Sequence, residues 1–200
     1  MRSQADADAV ARCLAGEREA FADLVLRYQD RVFGLALRLC GGHRADAQDA
    51  AQEAFLRAYA ALGRYDAGRP WLPWLLRIAV NVCRDRARRR SARPEFALEA
   101  WESVADPADG PEGALLRAER RRAVRAAVAA LPENQRVLIA LAYDQELALG
   151  EIAQALRLPL TVVKNRLYRA RRAIAARLRR EEEEHGLRDG ARPLARPGRG

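Results

Sequence analysis

The chain has 200 residues, in which 36 lysines and arginines outweigh 27 aspartates and glutamates and give a formal net charge of +9. This length accommodates one medium domain or two small ones, and the basic balance favours a polyanionic partner, because each neutralised phosphate releases counterions. No apolar run approaches the roughly 20 residues of a membrane span, and the N-terminus lacks the apolar core of a secretory signal, so we expect a cytoplasmic protein without membrane insertion.

The first half of the chain is predicted to be nearly continuous helix from about Asp8 to Arg90, with two interruptions. Gly41-Gly42 ends one helix, since glycine readily takes the left-handed conformation of a helix C-terminus. The stretch from Gly63 to Pro73 is rich in glycine and proline and is predicted to be a loop. Residues 1–90 are therefore expected to form a first all-α domain, in a chain whose alanine, leucine and arginine content favours helix throughout.

One predicted helix of this domain carries acidic residues at i, i+3 and i+7, namely Asp46, Asp49 and Glu53, which therefore share one face. Phe55 and Tyr59 lie on another face. On a basic protein such an acidic face is either solvated surface or a docking site for a protein partner. The residues alone leave both interpretations open.

The helix from Trp74 to Arg90 has an apolar face and a polar stripe beside it. The apolar face consists of Trp74, Leu75, Ile78 and Val82, and the stripe at i, i+4, i+7 and i+11 consists of Arg77, Asn81, Arg84 and Arg88. Tyr65 and Trp71 stand just upstream, beside the loop. Aromatic rings next to a basic helix suit unstacked nucleic-acid bases, and stacking contributes about 1–3 kcal/mol per base. A place in the core suits both rings equally well.

Residues 91–113 are acidic and rich in proline and glycine, which predicts a linker between two domains. The linker is either a solvated tether or a mimic of nucleic acid in a basic channel. Helical patterning then defines a second all-α domain over residues 114–182. Residues 183–200, which end in a stretch rich in glycine, proline and arginine, are predicted to be a disordered tail.

The second domain contains the pattern of a helix-turn-helix. A short helix around Ile152 ends at the turn Arg157–Pro159, and a long helix follows. Val163, Leu167, Ala170 and Ile174 form the apolar stripe of that helix; the opposite face presents Thr161, Asn165, Tyr168 and Arg172, flanked by Lys164 and Arg169. Such side chains suit the base edges and phosphates of a DNA major groove. The alternative is an ordinary amphipathic helix with a solvated basic face.

Side chains for catalysis or metal binding are sparse in this sequence. His43 and His185 are the only histidines and are not paired with a plausible nucleophile or metal set, and the three cysteines match no metal-ligand spacing. We therefore expect no catalytic residue, no metal, no cofactor and no small-molecule substrate.

Three stretches of the chain resemble the sigma-70 family. Asp46 to Leu56 resembles the polymerase-binding helix, Trp74 to Arg88 the helix that follows the −10 reading loop, and Leu131 to Arg171 the −35-binding domain. The matches follow the family order and spacing from about Phe21 to Leu178. Because no separate middle domain intervenes, the chain is similar to the small extracytoplasmic-function (ECF) group.

The resemblance implies a factor that binds core RNA polymerase and directs promoter-specific transcription initiation, with an anti-sigma factor as a further partner. It assigns Asp46, Asp49, Gln52 and Glu53 to the polymerase, the loop from Tyr65 to Trp71 with Asn81, Arg84 and Arg88 to the −10 element, and Lys164, Asn165, Tyr168 and Arg169 to the −35 element. The polar faces described above add Arg77 to the −10 residues and Thr161 and Arg172 to the −35 residues. The linker would thread toward the active-site and RNA-exit channel of the polymerase. The alternative is a stand-alone helix-turn-helix regulator, which does not require core polymerase.

Three residues depart from the family pattern at the helix-turn-helix. Arg157 stands where a glycine is usual, and a left-handed non-glycine residue there costs roughly 1–2 kcal/mol. Pro159 replaces a serine cap, and Gly150 replaces a glutamate at a cost of about 1 kcal/mol relative to alanine. These departures bear on local stability and on the −35 sequence.

Overall fold

A computed structural model describes residues 4–91 and 111–190, and within these ranges the chain forms helices and no strand. The predicted all-α class is therefore confirmed. The helices are α1 (Gln4–Leu14), α2 (Ala20–Leu39), α3 (Arg44–Ala60), α4 (Trp71–Ser91), α5 (Pro111–Ala129), α6 (Glu133–Ile139), α7 (Leu149–Leu156) and α8 (Leu160–Gly190). Among the described residues, no helix is long and apolar enough to cross a membrane.

The first domain is a bundle in which α2, α3 and α4 pack against one another and α1 packs on α2. Leu24 and Leu35 of α2, Ala50 of α3 and Leu75 of α4 are at most 1% exposed and fill its centre. The predicted break at Gly41-Gly42 is present, with φ of 71° and 92°. A further break between α1 and α2 was not predicted; it turns at Gly16, whose φ of 103° is accessible to glycine without steric cost.

Helix α4 is buried on more sides than its sequence pattern predicted. Leu75 and Val82 are buried as expected, but Leu76, Ala79 and Cys83 are buried as well. The reason is that α4 packs against α2 and α3 and also against α7 of the second domain. The helix also begins at Trp71, three residues earlier than expected, since a proline such as Pro73 is tolerated in a first turn.

The second domain consists of α5 to α8, with α8 packed against α5, α6 and α7. Its predicted apolar stripe is confirmed, because Val163, Leu167 and Ala170 are at most 2% exposed and Ile174 packs at the edge of the same core. Between α6 and α7 the chain makes a short π-helical segment, Ala140–Asp144. The carbonyl oxygen of Ala140 accepts a hydrogen bond of 3.1 Å from the Gln145 N–H at its end.

At the turn of the helix-turn-helix, Arg157 occupies the position where a glycine is usual, and it is left-handed. Arg157 ends α7 in the left-handed region, at φ 53° and ψ 45°. Pro159 then precedes α8 and accepts hydrogen bonds on its carbonyl oxygen from the N–H groups of Val162 and Val163. At the other end of α7, Glu151 accepts a hydrogen bond of 3.0 Å from the Ala148 N–H, which caps the helix that contains Gly150.

Replacing Arg157 by glycine is expected to raise the melting temperature by a few degrees. The substitution removes a strain of roughly 1–2 kcal/mol that a non-glycine residue has in the left-handed conformation. Part of this gain in stability is lost, because glycine has more conformational entropy in the unfolded state. Thermal unfolding followed by circular dichroism measures the change, and Arg157→Ala, which keeps the Cβ, is the control. A glycine variant no more stable than the alanine variant would contradict the strain argument.

The C-terminal boundary differs from the predicted one. Helix α8 continues to Gly190, so residues 183–190, expected as the start of a disordered tail, are helical. Glutamates favour helix, and the pair between Arg177 and Glu181, 3.2 Å apart at i and i+4, supports the continuation. The rest of the predicted tail and the centre of the predicted linker lie outside the described residues.

Candidate functional site

The outer face of α8 presents all six side chains predicted to read the −35 element. Thr161, Lys164, Asn165, Tyr168, Arg169 and Arg172 are all exposed. They project outward because the buried stripe of the same helix faces α5, α6 and α7, so the opposite side has no neighbour within the described chain. The Tyr168 side chain is 60% exposed, and the guanidinium of Arg172 lies 5.8 Å from the centre of its ring. The face therefore combines positive charge, an amide and hydroxyl groups on one rigid helix.

The predicted polar stripe of α4 is divided by the second domain. Asn81 and Arg88 are exposed, whereas Arg77 and Arg84 are half-buried. The Nε of Arg84 donates a hydrogen bond of 2.9 Å to a carboxylate oxygen of Glu133 at the start of α6. Burial and the nearby charge of Arg157 lower the pKa of Arg77. Half of the stripe is thus open to solvent and half faces the other domain.

The two aromatic side chains assigned to the −10 element occupy different environments. Trp71 is only 1% exposed, and its ring packs between Phe21, at 6.4 Å, and Trp74, at 4.8 Å between centroids. Contrary to the expectation for this residue, Trp71 belongs to the core in this structure and presents no free face to a base. Tyr65 is half-buried, and its ring centroid lies 5.0 Å from both tryptophan rings, edge-on to Trp71 at 82° and tilted to Trp74 at 55°.

The loop that precedes α4 is braced by its own side chains. The Asp66 carboxylate accepts hydrogen bonds from the Gly68 N–H, at 2.9 Å, and from the Arg69 Nε, at 3.0 Å. The Tyr65 hydroxyl donates a hydrogen bond to the Arg69 carbonyl oxygen. Arg69 remains exposed, so this loop carries a positive charge that the sequence analysis had not singled out.

The three acidic residues on α3 converge on a single arginine of α4. Arg86 lies 3.0 Å from Asp49, 3.4 Å from Glu53 and 3.9 Å from Asp46, measured between guanidinium nitrogens and carboxylate oxygens. Burial is the largest single influence and lowers the pKa of Arg86, but the hydrogen bonds and negative charges of Asp49 and Glu53 together outweigh it, so the pKa is raised. The spacing of the three acids predicted that they share one face of α3. It did not predict that Arg86 lies among them. Asp49 nevertheless keeps 65% of its side chain exposed, against 32% for Asp46 and 27% for Glu53.

A second ionic group joins the same two helices. Arg57 contacts Asp85 at 2.9 Å and Glu53 at 2.5 Å. The hydrogen bond from Arg57 lowers the pKa of the Asp85 carboxyl. Together with Arg86, this group fixes the α3 acids against α4, so the acidic face has a defined geometry.

Gln52, the fourth residue assigned to the polymerase, is exposed on α3 one turn after Asp49. It lines an open groove of about 950 Å³ between α2 and α3. Three apolar side chains on this groove are unusually exposed, Leu26 at 69%, Leu56 at 64% and Tyr59 at 40%. The sequence analysis missed Leu26 and Leu56; the available signal was that they fall outside the buried stripes of their helices. Exposed apolar groups clustered in a groove are typical of a protein-binding surface.

The two halves of the chain match two family profiles. The profile described as Sigma-70 region 2 matches residues 24–93, and the profile described as Sigma-70, region 4 matches residues 121–174. The first match contains α3 and α4 with their acidic face and polar stripe. The second contains the helix-turn-helix and the outer face of α8.

Curated relatives align over most of this chain and over most of their own length. The ECF RNA polymerase sigma factor SigW of Bacillus subtilis (strain 168) is 36% identical over 174 residues, which are 82% of this chain and 91% of the relative. The RNA polymerase sigma-H factor of Pseudomonas aeruginosa is 35% identical over 87% of this chain and 94% of its own. The ECF RNA polymerase sigma-E factor of Escherichia coli (strain K12) is 35% identical over 82% and 90%.

Solved structures show the same fold. The structure of CnrH in complex with the cytosolic domain of CnrY superposes with a TM-score of 0.64 at 27% identity and covers 88% of this chain and 97% of CnrH. The sigma factor RpoE of Bartonella quintana, in complex with the anti-sigma factor NepR, also superposes with a TM-score of 0.64, at 18% identity over 80% of this chain.

Proposed function

The chain belongs to the sigma-70 family, in its extracytoplasmic-function group, and on that premise we propose which of its residues carry out promoter-directed initiation with RNA polymerase. As members of this family do, the protein binds core RNA polymerase and directs transcription initiation from specific promoters. The observation that supports the residue assignments is that α8 and α4 expose faces of amide and basic side chains, whereas α3 carries an acidic face and borders an apolar groove.

The outer face of α8 is proposed to read the −35 element in the major groove. Asn165 and Arg169 are suited to base edges, since amides and guanidiniums form paired hydrogen bonds there. Lys164 and Arg172 are suited to phosphates, which position the helix without reading sequence. The exposure of the whole face and the burial of the opposite stripe support this assignment.

The exposed end of the α4 stripe and the loop before it are proposed to hold the melted −10 strand. Asn81 and Arg88 are open to solvent in this structure, and Arg77 and Arg84 extend the same stripe. Tyr65 and the braced backbone of residues 66–69 would receive an unstacked base, with Arg69 supplying charge. Trp71 is only 1% exposed, and we propose that it holds Tyr65 in place rather than contacting a base.

The α3 surface is proposed to bind core polymerase through two adjoining parts. Asp46, Asp49 and Glu53 supply negative charge whose position Arg86 fixes. Gln52 lies on the groove that Leu26 and Leu56 line, so the polar and apolar parts form one continuous surface. A helical element of the polymerase with basic and apolar side chains fits this combination.

Further parts of the assignment follow from the family. The two solved structures described above are complexes, one with the cytosolic domain of CnrY and one with the anti-sigma factor NepR, and we propose an anti-sigma factor as a partner of this chain too. We also propose that the chain works in the cytoplasm, where RNA polymerase acts, and that it catalyses no reaction itself. Residues 92–110 are proposed to link the two DNA-binding domains, since α4 ends at Ser91 and α5 begins at Pro111, three residues before the predicted start of the second domain.

Run-off transcription with purified core RNA polymerase tests the function. On a library of promoter-length templates, we expect transcripts from defined start sites only when the protein is present. Their aligned upstream sequences give the −10 and −35 preferences in one experiment. A protein that neither stimulates transcription nor binds core polymerase would instead be a stand-alone helix-turn-helix regulator.

A further inference from the structure

Two buried cysteines of the first domain, Cys40 and Cys83, have no role in the function proposed above. Cys40 is 9% exposed at the end of α2, and Cys83 is 4% exposed in the middle of α4. Both are free thiols in the core of the bundle, where α2 packs against α4. Their side chains are hydrogen-bonded to each other, so two thiols that are distant in the sequence are in direct contact.

The surroundings of the pair make Cys40 the thiol that reacts first with an oxidant. The hydrogen bond with Cys40 and burial raise the pKa of Cys83, which keeps this thiol protonated. Cys40 is the C-cap of α2, and the left-handed turn at Gly41-Gly42 follows it directly. Because the ends of helices open locally more readily than their centres, a small oxidant reaches Cys40 before Cys83.

The pair also lies next to the acidic face that is proposed to bind the polymerase. Arg86 follows Cys83 by three positions on α4, which places both on one side of the helix. The charge of Arg86 acts on the Cys83 thiol. The same guanidinium lies 3.0 Å from Asp49 and 3.4 Å from Glu53. Cys83 is thus one helical turn from the cation that positions these acids.

We propose that Cys40 and Cys83 are a redox-sensitive pair: a peroxide oxidises them to an intramolecular disulfide, which displaces Arg86 and weakens docking to core polymerase. The effect on docking rests on the function proposed above for the α3 surface. The two sulfur atoms of a disulfide are about 2.05 Å apart, closer than free thiols in contact, so the bond draws α2 and α4 together at this point. A close-packed interior transmits such a displacement to neighbouring side chains.

The oxidation proceeds in two steps that balance. The Cys40 thiolate attacks one oxygen of the peroxide and displaces hydroxide, which takes up the proton lost by Cys40 and leaves a sulfenic acid. The Cys83 sulfur then attacks the Cys40 sulfur, and the sulfenic hydroxyl leaves as water with the Cys83 proton. In sum, two thiols lose two electrons and two protons, and hydrogen peroxide is reduced to two molecules of water.

The test treats the full-length protein with hydrogen peroxide and removes the peroxide before polymerase is added. Free thiols are alkylated in denaturant, and mass spectrometry maps the peptides. We expect Cys40 and Cys83 in one linked pair of peptides, lighter by the two hydrogen atoms lost. Because the thiols are buried, this bond should form at the slow end of the range of seconds to hours. Fluorescence anisotropy with core polymerase, using a label on the N-terminal amine, should show several-fold weaker binding that dithiothreitol restores.

Three variants keep the outcome specific to this pair. Cys40→Ala and Cys83→Ala each remove one partner, so peroxide should produce no such disulfide and leave polymerase affinity unchanged. Circular dichroism establishes that each variant folds, and either one is sufficient if the other does not. Cys13→Ala removes the third cysteine, which lies on α1, and should respond to peroxide as the original protein does.

Equal alkylation of Cys40 and Cys83 before and after peroxide treatment would overturn the proposal. A mapped disulfide with unchanged polymerase affinity would also overturn it, because the bond would then have no effect on Arg86. So would a loss of affinity that persists in Cys40→Ala, since another oxidised residue would be responsible. Failure of the proposed function has a different signature, namely no binding of core polymerase by the reduced protein.

Discussion

Replacing Asp49 by arginine is expected to weaken binding to core RNA polymerase by tenfold or more. Asp49 is the most exposed of the three α3 acids, and Arg86 holds it in a defined position. The substitution reverses the charge offered to the polymerase and brings a second cation close to Arg86. We expect Asp49 to be one of the few interface residues whose loss costs about 2 kcal/mol or more, which corresponds to a loss of at least tenfold in affinity. Fluorescence anisotropy of labelled protein titrated with core polymerase measures it.

The control for this variant separates docking from folding. The exposed pair between Asp49 and Arg86 contributes little to stability, so Asp49→Arg should melt within a few degrees of the original protein. Asp49→Asn keeps a hydrogen-bond acceptor for Arg86 and should show an intermediate affinity. Undiminished assembly with polymerase by the arginine variant would remove Asp49 from the docking surface.

Replacing Lys164 by alanine is expected to weaken promoter binding several-fold and to flatten its dependence on salt. Lys164 is exposed on the face of α8 that is proposed to enter the major groove, where a lysine binds phosphate as a point charge. Losing one phosphate contact reduces the slope of log affinity against log salt concentration by about 1, and does so on any promoter. Titration of holoenzyme onto promoter duplex at several salt concentrations measures the slope.

Arg179→Ala is the matched control for Lys164→Ala. It removes one positive charge from the same helix, at an exposed position outside the proposed interface. We expect its salt slope to equal that of the original protein. Equal slopes for Lys164→Ala and the original protein would mean that Lys164 makes no phosphate contact.

Local patterns predicted those features of the fold that depend on neighbouring residues in the chain. The stripe of Val163, Leu167 and Ala170 is buried as its spacing indicated, because a helix places these positions on one side whatever surrounds it. The left-handed conformation of Arg157 agrees with the resemblance, in which a glycine usually stands at this position of the turn. Side chains opposite a buried stripe are then exposed, as the six residues on α8 are.

Tertiary structure decided the environment of residues that meet partners distant in sequence. Nothing near Asp49 indicates that Arg86 would lie 3.0 Å away, because the helices that carry them converge only in the folded bundle. Trp71 was equally compatible with a base or a core until the packing of Phe21 and Trp74 around it settled its burial.

The sequence by itself determined the helical class and the chemistry of the exposed faces, because both depend on periodicity and residue type within one segment. The family followed from the resemblance of three stretches of the chain to the sigma-70 pattern. The contact of Arg31 with Gln145 joins residues 114 positions apart and was decided by the tertiary structure alone. Its physical origin is the requirement that a buried amide be hydrogen-bonded, which only the arrangement of both domains can satisfy.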